Sequence, residues 1–306
     1  SSLNTGGKEK RFKQLVTYLN NENISNNVFV LKDSDNYNVL KTIFQLYVLI
    51  FKSRPKIIHS WSINTTIICY PICKLLSIKI VDSSVSTNGK DGSIKYKLLR
   101  KIALYCSDHI TVNSISALLN LRIKEKFSLT KNHISFDDKH ELLKSKNINI
   151  WFIGRMYPGK RVDLFADLIT KLNEVDSSIT YNVIGGGPLL EDYKFKYKSI
   201  QNLFFKGFMT DFFNEFKYRD IGVLISDSEG TPNVLIELMS KGIPCIYYNL
   251  DTNIDSPVIN SLTGYNVDSL YELQSKLLKL KNNKKMYDLF SQNSRLHVES
   301  NYNSKL

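Results

Sequence analysis

The sequence runs Asn149-Ile-Trp-Phe-Ile-Gly-Arg-Met-Tyr-Pro-Gly-Lys160 directly ahead of a helix-length segment over residues 161–173. The residues before Gly154 form a short apolar run that is typical of a buried strand. The later segment carries apolar residues at helical spacing, which are Val162, Phe165, Leu168, Ile169 and Leu172. These patterns predict a strand, a loop and a helix, which together make one β-α unit.

The same alternation recurs along the whole chain. In the second half, further strands are predicted at 179–184, 203–206, 221–225 and 243–247. In the first half, strands are predicted at 27–31, 56–59, 78–82 and 109–112, with helices at 37–52, 63–76 and 93–106. Repeated β-α units require parallel sheets with helices on both faces. We therefore predict an α/β protein with two doubly wound, Rossmann-like domains and ligands beyond the carboxyl ends of the strands.

The excess of positive over negative charge lies entirely in the first half of the chain. Among 306 residues the net charge is +12, and residues 1–146 hold 23 Lys and Arg against 11 Asp and Glu, whereas residues 147–306 hold 18 of each. This asymmetry predicts two domains, 1–146 and 147–306, with different partners. A basic half can meet nucleic acid, an anionic membrane surface or an anionic substrate, or it can be a solvated, lysine-rich surface.

Composition excludes several classes of protein. Hydrophobic residues make up 42% of the chain, which excludes a wholly disordered protein. No apolar run reaches the roughly 18 residues of a membrane span. The four cysteines form no Cys-x-x-Cys pair, so we interpret them as reduced core residues of a cytoplasmic protein. The basic half lacks a recognised nucleic-acid-binding module, and we therefore do not expect a nucleic-acid partner.

Two loops after predicted strands suit an anionic ligand. Arg155 and Lys160 bracket a turn at a helix start, where a phosphate would be held by both side chains and by backbone N–H groups, unless both cations simply point into water. Gly185-Gly-Gly-Pro188 follows the strand at 179–184 and allows close approach of a ligand to the backbone, although a plain tight turn explains it equally well.

A third loop carries two carboxylates beside a helix. In the stretch 226–244, Thr231 is predicted as N-cap, Pro232 as the first helical residue and Gly242 as the residue after a helix of about ten residues. Glu229 precedes this helix and Glu237 lies inside it. Carboxylates on either side of a helix N-terminus suit a ligand with an anionic middle and hydroxyl-bearing ends, which is the layout of a nucleotide sugar. The alternative for Glu237 is a salt bridge along the helix face.

Taken together, these segments resemble the donor-binding domain of family 4 glycosyltransferases, which have the GT-B fold of two Rossmann-like domains that face each other across a cleft. The matching segments are 152–163, 183–188, 205–207 and 228–244, and the resemblance covers about residues 147–300. The first half resembles the family more weakly, at 55–61 and 107–114. In this family the first half is the acceptor-side domain and the second half binds the nucleotide-sugar donor.

The resemblance implies roles for individual residues. Arg155 and Lys160 would hold the donor diphosphate and stabilise the leaving group, Glu237 would bind the ribose hydroxyls, and Glu229 would lie against the transferred sugar. The other donor-binding positions implied are Gly6, Gly7, Gly154, Gly185, Gly186, Gly187, Gly230, Thr231, Pro232, Asn233 and Val234.

The resemblance also implies a retaining transferase that needs neither a metal nor a cofactor. Asp33-Ser-Asp35, which looks like a metal-binding Asp-x-Asp, is interpreted as a turn. Where the family often has a histidine, this chain has Ser83-Ser-Val-Ser-Thr87. His59 lies nearby in the pattern and is either a structural residue or a candidate on the acceptor side. The first strand before Thr5 and the end of the last helix are missing from the pattern, so we expect a fragment trimmed at both ends.

The function implied is transfer of a sugar from a nucleotide-diphosphate sugar to a glycan or lipid-linked acceptor in cell-surface polysaccharide synthesis. The alternatives are a non-catalytic relative or partner subunit that binds nucleotide sugar, and a sugar-nucleotide epimerase. The basic half further suggests docking on the cytoplasmic face of an anionic membrane. The helix at 37–52 is interpreted as core, but Leu46, Tyr47 and Phe51 are candidates for shallow insertion if one edge of it is exposed.

Overall fold

A computed structural model describes residues 7–30, 38–84, 94–121, 126–134, 142–143, 148–210, 212–250 and 255–303. The chain divides into two compact units, Ser1–Asn132 and His133–Leu306. The boundary lies earlier than the predicted 146/147, because the described residues Ile134 and Leu143 contact the second unit. The Ile134 N–H donates to the Tyr302 carbonyl at 2.9 Å, and Leu143 forms a bridge with Lys217.

The first unit is built on a four-stranded parallel sheet in the order β1-β2-β3-β4. Its strands are β1 (Ile57–Ser60), β2 (Lys79–Asp82), β3 (His109–Val112) and β4 (Phe127–Leu129). Its helices are α1 (Gly7–Asn21), α2 (Val39–Ser53), α3 (Ile63–Leu76), α4 (Ile94–Cys106) and α5 (Ile115–Leu121). The apolar residues of α2, α3 and β2 form a core that contains Leu46, Ile50, Cys69, Cys73, Ile78 and Ile80.

The predicted strand at 27–31 is wrong over its described part. Residues 27–30 carry no strand, and Val28 and Phe29 are 46% and 36% exposed. An apolar segment becomes a strand only where a neighbouring strand offers a ladder of backbone partners, and this segment pairs with none of the described strands. Leu31 lies outside the described residues.

The second unit has a six-stranded parallel sheet in the order β7-β6-β5-β8-β9-β10. Its strands are β5 (Asn149–Ile153), β6 (Thr180–Ile184), β7 (Leu203–Gly207), β8 (Ile221–Ser226), β9 (Cys245–Asn249) and β10 (Gly264–Val267). Counted within the unit, this order is 3-2-1-4-5-6, the dinucleotide-binding arrangement. The topological switch point therefore lies between β5 and β8.

Helices cover both faces of this sheet, as predicted. They are α6 (Val162–Asn173), α7 (Leu190–Lys196), α8 (Asn233–Ser240), α9 (Leu270–Asn282) and α10 (Lys284–Tyr302). Along β5, Ile150 and Phe152 belong to one apolar core, whereas Trp151 and Ile153 belong to the other. Side chains of a strand point alternately to its two faces, so a continuous apolar run fills both cores.

The four cysteines are all unpaired and buried, as expected for core residues. Burial raises the pKa of each thiol, and the pKa of Cys73 rises to about 11, chiefly through desolvation. They are therefore protonated and unreactive at neutral pH. Among the residues that the structure describes, no helix combines the length and the apolar character needed to cross a membrane.

Candidate active site

The site in the second unit lies where the loops after β5, β6 and β8 meet. β5 pairs with β6 on one side and with β8 on the other, and all three strands are parallel. Their carboxyl ends therefore share one edge of the sheet, and the three loops singled out in the sequence become neighbours. This edge includes the switch point, where doubly wound sheets bind their ligands.

The loops after β5 and β6 are joined through their backbones. The Gly154 N–H donates to the Ile184 carbonyl at 3.0 Å, and the Met156 N–H donates to the Gly186 carbonyl at 2.9 Å. Gly185 has a φ of +149°, and a Cβ at this residue would collide with the carbonyl oxygen of Gly154. The glycines of this loop thus have a structural explanation, because side chains would force the two loops apart.

Gly187 makes the same kind of contact. Its φ is +151°, and a Cβ there would lie 2.7 Å from the carbonyl oxygen of Met156. Pro188 precedes the next helix, which begins at Leu190 with Leu189 as its N-cap. The donor-binding role of Gly154, Gly185, Gly186 and Gly187 stays a prediction.

A single 3-10 turn over Pro158–Lys160 connects β5 to α6, as the sequence predicted for this loop. The turn is pinned to the loop after β8, since the Asp227 N–H donates to the Gly159 carbonyl at 2.9 Å. Arg161 follows with a φ of +45° and hydrogen-bonds to two carboxylates: Nη2 donates to Asp163 at 2.8 Å and Nη1 to Asp227 at 3.2 Å. The hydrogen bonds to Asp163, and next those to Asp227, raise the pKa of Arg161.

Sequence reasoning missed Arg161 and Asp227 as part of this site. The spacing of Arg161 and Asp163 is a local signal, but the partner at Asp227 is 66 residues away in the chain. Only the adjacency of β5 and β8 brings it within reach. Together these contacts hold Lys160 in place beside the end of β8.

Lys160 forms an ion pair with Glu229, the two side chains being 25% and 18% exposed. The sequence assigned them to different parts of one ligand, the diphosphate and the sugar, and the structure brings them into direct contact. A partly buried ion pair is stable only while both charges are present, because removing one leaves the other desolvated and unpaired. A ligand that takes over Lys160 must therefore also give Glu229 a new partner.

Arg155 lies on the same loop but is exposed. Its guanidinium carbon is 5.4 Å from the centre of the Tyr157 ring, within cation–π distance, and Tyr157 is itself 46% exposed. Among the described residues no carboxylate pairs with Arg155. Tyr157 was not singled out in the sequence, because an isolated tyrosine in a loop carries no periodic signal.

The helix after β8 begins later than predicted. α8 spans Asn233–Ser240 with Pro232 as its N-cap, so Thr231 is not the cap and Pro232 is not the first helical residue. The cause is the backbone of Pro232, which is extended with a ψ of 112°. Gly242 follows the C-cap Lys241 with a φ of +72°, which confirms its predicted place after the helix. Glu237 lies in the second turn and is partly buried.

The amino end of α8 contributes positive potential to the site. The first backbone N–H groups of a helix have no partner within the helix, and the aligned peptide dipoles add about half a positive charge at that end. Gly230, Thr231, Pro232, Asn233 and Val234 form this end and follow Glu229 directly. The arrangement joins a cation, a carboxylate and a helix N-terminus, which can bind an anionic group next to hydroxyl groups.

The remaining candidates belong to the first unit. Gly6 and the Asp33-Ser-Asp35 motif lie outside the described residues, and Gly7 is the first residue of α1. His59 lies in β1, and its Nε2 atom is 2.6 Å from the Ser83 hydroxyl. No group of three metal-ligating side chains occurs within the described parts of the chain.

Residues 134–297, more than half of the chain, match the protein family Glycosyl transferases group 1. The chain belongs to this family. It is therefore a glycosyltransferase, and the predicted class of enzyme is confirmed.

Two bacterial relatives support this assignment. The chain is 26% identical over 309 residues to the UDP-Gal:alpha-D-GlcNAc-diphosphoundecaprenol alpha-1,3-galactosyltransferase of Escherichia coli, with 90% of this chain and 78% of the relative covered. It is 23% identical over 329 residues to the capsular polysaccharide biosynthesis glycosyltransferase CapM of Staphylococcus aureus, with 96% and 84% covered.

A solved structure supports the fold. The structure of HepE from Anabaena in complex with UDP and glucose matches with a TM-score of 0.75 at 13% identity, over 94% of this chain and 85% of HepE. At that identity the likeness concerns the fold alone. The predicted GT-B class, with two Rossmann-like domains, is confirmed.

The ion pair between Lys160 and Glu229 can be tested by a double-mutant cycle with Lys160→Met and Glu229→Gln. Both side chains are mostly buried, so we expect a coupling energy of about 1–2 kcal/mol in the free energy of unfolding. Urea unfolding is followed by the fluorescence of Trp151, which lies in the core of the second unit, in a Trp61→Phe background. Arg155→Met is the control and should change stability by less than about 0.5 kcal/mol, because Arg155 is exposed. A coupling energy near zero would show that the pair contributes nothing to the fold.

Proposed function

We propose that this protein transfers a sugar, with retention of anomeric configuration, from a nucleotide-diphosphate sugar to a glycan or lipid-linked acceptor in the synthesis of a cell-surface polysaccharide. The observation that carries the proposal is the meeting of Lys160, Glu229 and the amino end of α8 at the switch point of the second sheet. The names of the two relatives support the acceptor class, since one acts on a diphosphoundecaprenol-linked sugar and the other in capsular polysaccharide biosynthesis.

In this proposal the second unit binds the donor by charge. As the bond between the sugar and the diphosphate breaks, negative charge grows on the leaving diphosphate. Lys160, Arg155 and the N–H groups of α8 stabilise this charge, so that neither a metal ion nor a cofactor is required. Glu237 accepts hydrogen bonds from the ribose hydroxyls.

The ion pair implies an order in which the diphosphate and the sugar of the donor make their contacts. Lys160 is held by Glu229, so an arriving phosphate must take over the ammonium group from the carboxylate. Glu229, released from Lys160, then accepts hydrogen bonds from the hydroxyls of the sugar beside it. This exchange links the diphosphate contact to the sugar contact, because neither charge is left buried and unpaired when both groups of the donor are present.

The alternatives are a non-catalytic nucleotide-sugar-binding relative or partner subunit, and a sugar-nucleotide epimerase. Membership of the family favours transfer over both. An epimerase would convert one nucleotide sugar into another without an acceptor, whereas a binding protein would leave all nucleotide sugars intact. Product analysis therefore separates the three.

The purified protein is incubated with a panel of nucleotide sugars and a bacterial lipid extract, and products are identified by mass spectrometry. Transfer should fall by about 30- to 800-fold in Lys160→Ala and in Arg155→Ala, which corresponds to about 2–4 kcal/mol of lost charge stabilisation. Lys171→Ala, an exposed lysine of α6, is the control and should retain full activity. Unchanged turnover in the Lys160 and Arg155 double variant would refute the assigned loop, and a panel without any glycosylated product would refute transfer.

The two glutamates should separate nucleotide binding from transfer. Glu237→Ala should weaken binding of the product nucleoside diphosphate by about tenfold, since it loses the ribose contact. Glu229→Ala should keep or tighten that binding, because Lys160 no longer has a competing carboxylate, while transfer is impaired. Isothermal titration calorimetry measures both affinities. Equal losses of affinity in the two variants would contradict the division of roles.

We further propose that the first unit docks on an anionic membrane surface through α4. This helix places Ile94, Leu98, Ile102 and Tyr105 along one stripe, and these side chains are 85%, 58%, 38% and 80% exposed. Lys95, Lys97 and Lys101 on the same helix are also exposed. An exposed apolar stripe flanked by lysines suits the interface of an anionic leaflet, where each basic residue adds about 1 kcal/mol of attraction.

The part expected of α2 needs correction. Leu46 is only 6% exposed, and the Tyr47 hydroxyl donates to the Ile68 carbonyl at 2.8 Å, so these two residues pack within the unit. Phe51 is 55% exposed and is compatible with the expectation. The difference arises because Leu46 and Tyr47 face α3, which the sequence pattern of α2 alone does not reveal.

Sedimentation with vesicles tests this docking. Binding should require anionic lipid and fade between about 0.05 and 0.5 M salt, since the attraction is screened. Replacing Ile94 and Leu98 with Glu should abolish it, whereas Leu289→Glu on α10, which is also exposed, should not. Equal sedimentation with neutral vesicles, or none with either kind, would contradict the proposal.

A further inference from the structure

A second polar cluster lies in the first unit at the carboxyl edge of its sheet. His59 and Trp61 come from the end of β1, Ser83 directly follows β2, Thr111 lies in β3 and Thr130 directly follows β4. Arg11 joins them from α1. The carboxyl edge of a doubly wound parallel sheet is where ligands bind. We call this set the Arg11 cluster; it comprises Arg11, His59, Trp61, Ser83, Thr111 and Thr130.

Hydrogen bonds fix the polar side of the cluster. The Nε2 atom of His59 is 2.6 Å from the Ser83 hydroxyl, and that hydroxyl in turn bonds the Thr111 hydroxyl. Arg11 Nη2 donates to the Thr130 hydroxyl at 3.1 Å. The first two bonds link β1, the residue after β2, and β3, and the third links α1 to the residue after β4. Together they hold the imidazole and the guanidinium in defined positions.

The indole of Trp61 is close to both of these groups. Its ring is stacked with the imidazole of His59 at a centroid distance of 5.0 Å, and the guanidinium carbon of Arg11 lies 5.8 Å from the indole centre. Phe12 contacts the indole edge-on at 5.8 Å. The cation and the imidazole are thus both positioned against one rigid aromatic surface.

Two donor groups of the cluster, the Arg11 guanidinium and the Trp61 N–H, have no charged acceptor among the described residues. Arg11 is partly buried, which lowers its pKa, and its described side-chain hydrogen bond goes to a neutral hydroxyl. Among the described residues no carboxylate pairs with it. The Trp61 Nε1–H is buried and has no acceptor within the described parts of the chain. A desolvated cation and a buried N–H are each unfavourable without an anionic or carbonyl oxygen to bind.

The imidazole of His59 adds no positive charge to the cluster, but it is accessible to solvent. Partial desolvation, and next the positive charge of Arg11, lower the pKa of His59, so that the ring is neutral at pH 7. The His59 side chain is nevertheless open to solvent. The cluster therefore presents a single guanidinium, with an aromatic surface and a neutral imidazole beside it, at an accessible edge of the sheet.

We propose that the Arg11 cluster binds a phosphate group of the acceptor, between its lipid and its sugar. This inference rests on the proposed function, and it names the chemical group by which the first unit recognises its substrate. A phosphate offers several anionic oxygens, which satisfy the fork of Arg11 and the indole N–H together. The glycan that follows the phosphate can pack on the aromatic surface, and His59 can hydrogen-bond a hydroxyl there.

Inorganic diphosphate is the first probe, and tryptophan fluorescence is the readout. The chain has two tryptophans, Trp61 in the cluster and Trp151 in the core of the second unit. Diphosphate should change the fluorescence of the wild-type protein, and the change should be absent in Trp61→Phe, where Trp151 alone reports. Arg11→Gln should weaken the binding by about 10- to 100-fold.

Two controls locate the binding. Arg54→Gln removes an exposed arginine of the same unit, which lies over the Phe51 ring, and should leave the titration unchanged. Lys160→Ala removes a cation of the proposed donor site and should also leave the Trp61 signal unchanged. A signal that is lost in Lys160→Ala would assign the diphosphate to the donor site, and a signal that is kept in Arg11→Gln would show that Arg11 does not bind it. Either result would overturn the proposal.

Kinetics with two matched acceptors test the role in catalysis. One acceptor carries its glycan on a lipid diphosphate, and the other carries the same glycan on an uncharged alkyl chain. Arg11→Gln should raise the KM for the diphosphate acceptor by about 10- to 100-fold, with the KM for the donor and the rate on the alkyl glycoside unchanged. Trp61→Phe, which keeps the stacking but lacks the N–H, should raise the same KM by about 3- to 10-fold.

The outcomes separate the two proposals. Equal losses on both acceptors would mean that Arg11 acts on the fold or on the reaction itself and would overturn the phosphate site. An absence of transfer to either acceptor by the wild-type protein would overturn the proposed function instead. In that case the diphosphate titration still decides whether the Arg11 cluster is an anion site.

Discussion

The candidate active site depends on the close backbone contact between the loops that follow β5 and β6. The carbonyl oxygen of Gly154 occupies the space that a side chain at residue 185 would need, and a Cβ at Gly187 would lie 2.7 Å from the carbonyl oxygen of Met156. This contact, with the hydrogen bonds of Gly154 and Met156 to the β6 loop, determines the path of the chain into the turn at Pro158–Lys160. Without it Lys160 would not be directed toward the end of β8.

This backbone contact also determines where the charged side chains of the site lie. The turn is held on its other side by Asp227, which bonds both the Gly159 carbonyl and the Arg161 guanidinium. Lys160, fixed between two anchored neighbours, reaches Glu229 across the switch point. Two charges that lie 69 residues apart in the chain become one ion pair because the strand order places β8 beside β5. A donor that binds both charges replaces this pair with two new contacts and leaves neither charge desolvated.

The first unit has a different arrangement of charge at the carboxyl edge of its own sheet. In place of a pre-formed ion pair it holds a partly buried guanidinium that, among the described residues, meets only a hydroxyl and the face of an indole. Opposite charges that neutralise one another suit a site that must exchange partners during a reaction. A cation with no carboxylate partner in the described chain suits a site that simply captures an anion. These electrostatics accord with the proposal that the second unit binds the donor and the first unit binds the acceptor.

The sequence by itself determined the α/β class, most of the strands and helices of both units, and the loops that carry the site. These features are local, because a buried parallel strand is an apolar run and a helix has its own periodicity, and both are visible without partners. Family membership was also recognisable from the spacing of the loops after β5, β6 and β8. Only the tertiary structure decided the features that depend on partners elsewhere in the chain. The apolar residues 27–30 form no strand, and the unit boundary falls at Asn132 because Ile134 pairs with the end of α10. The contacts of Lys160 with Glu229 and of Arg161 with Asp227, and the assembly of Arg11, His59 and Trp61, were likewise decided by the fold. Each joins residues far apart in the chain, and no local pattern of hydrophobicity or charge records which strands will lie side by side.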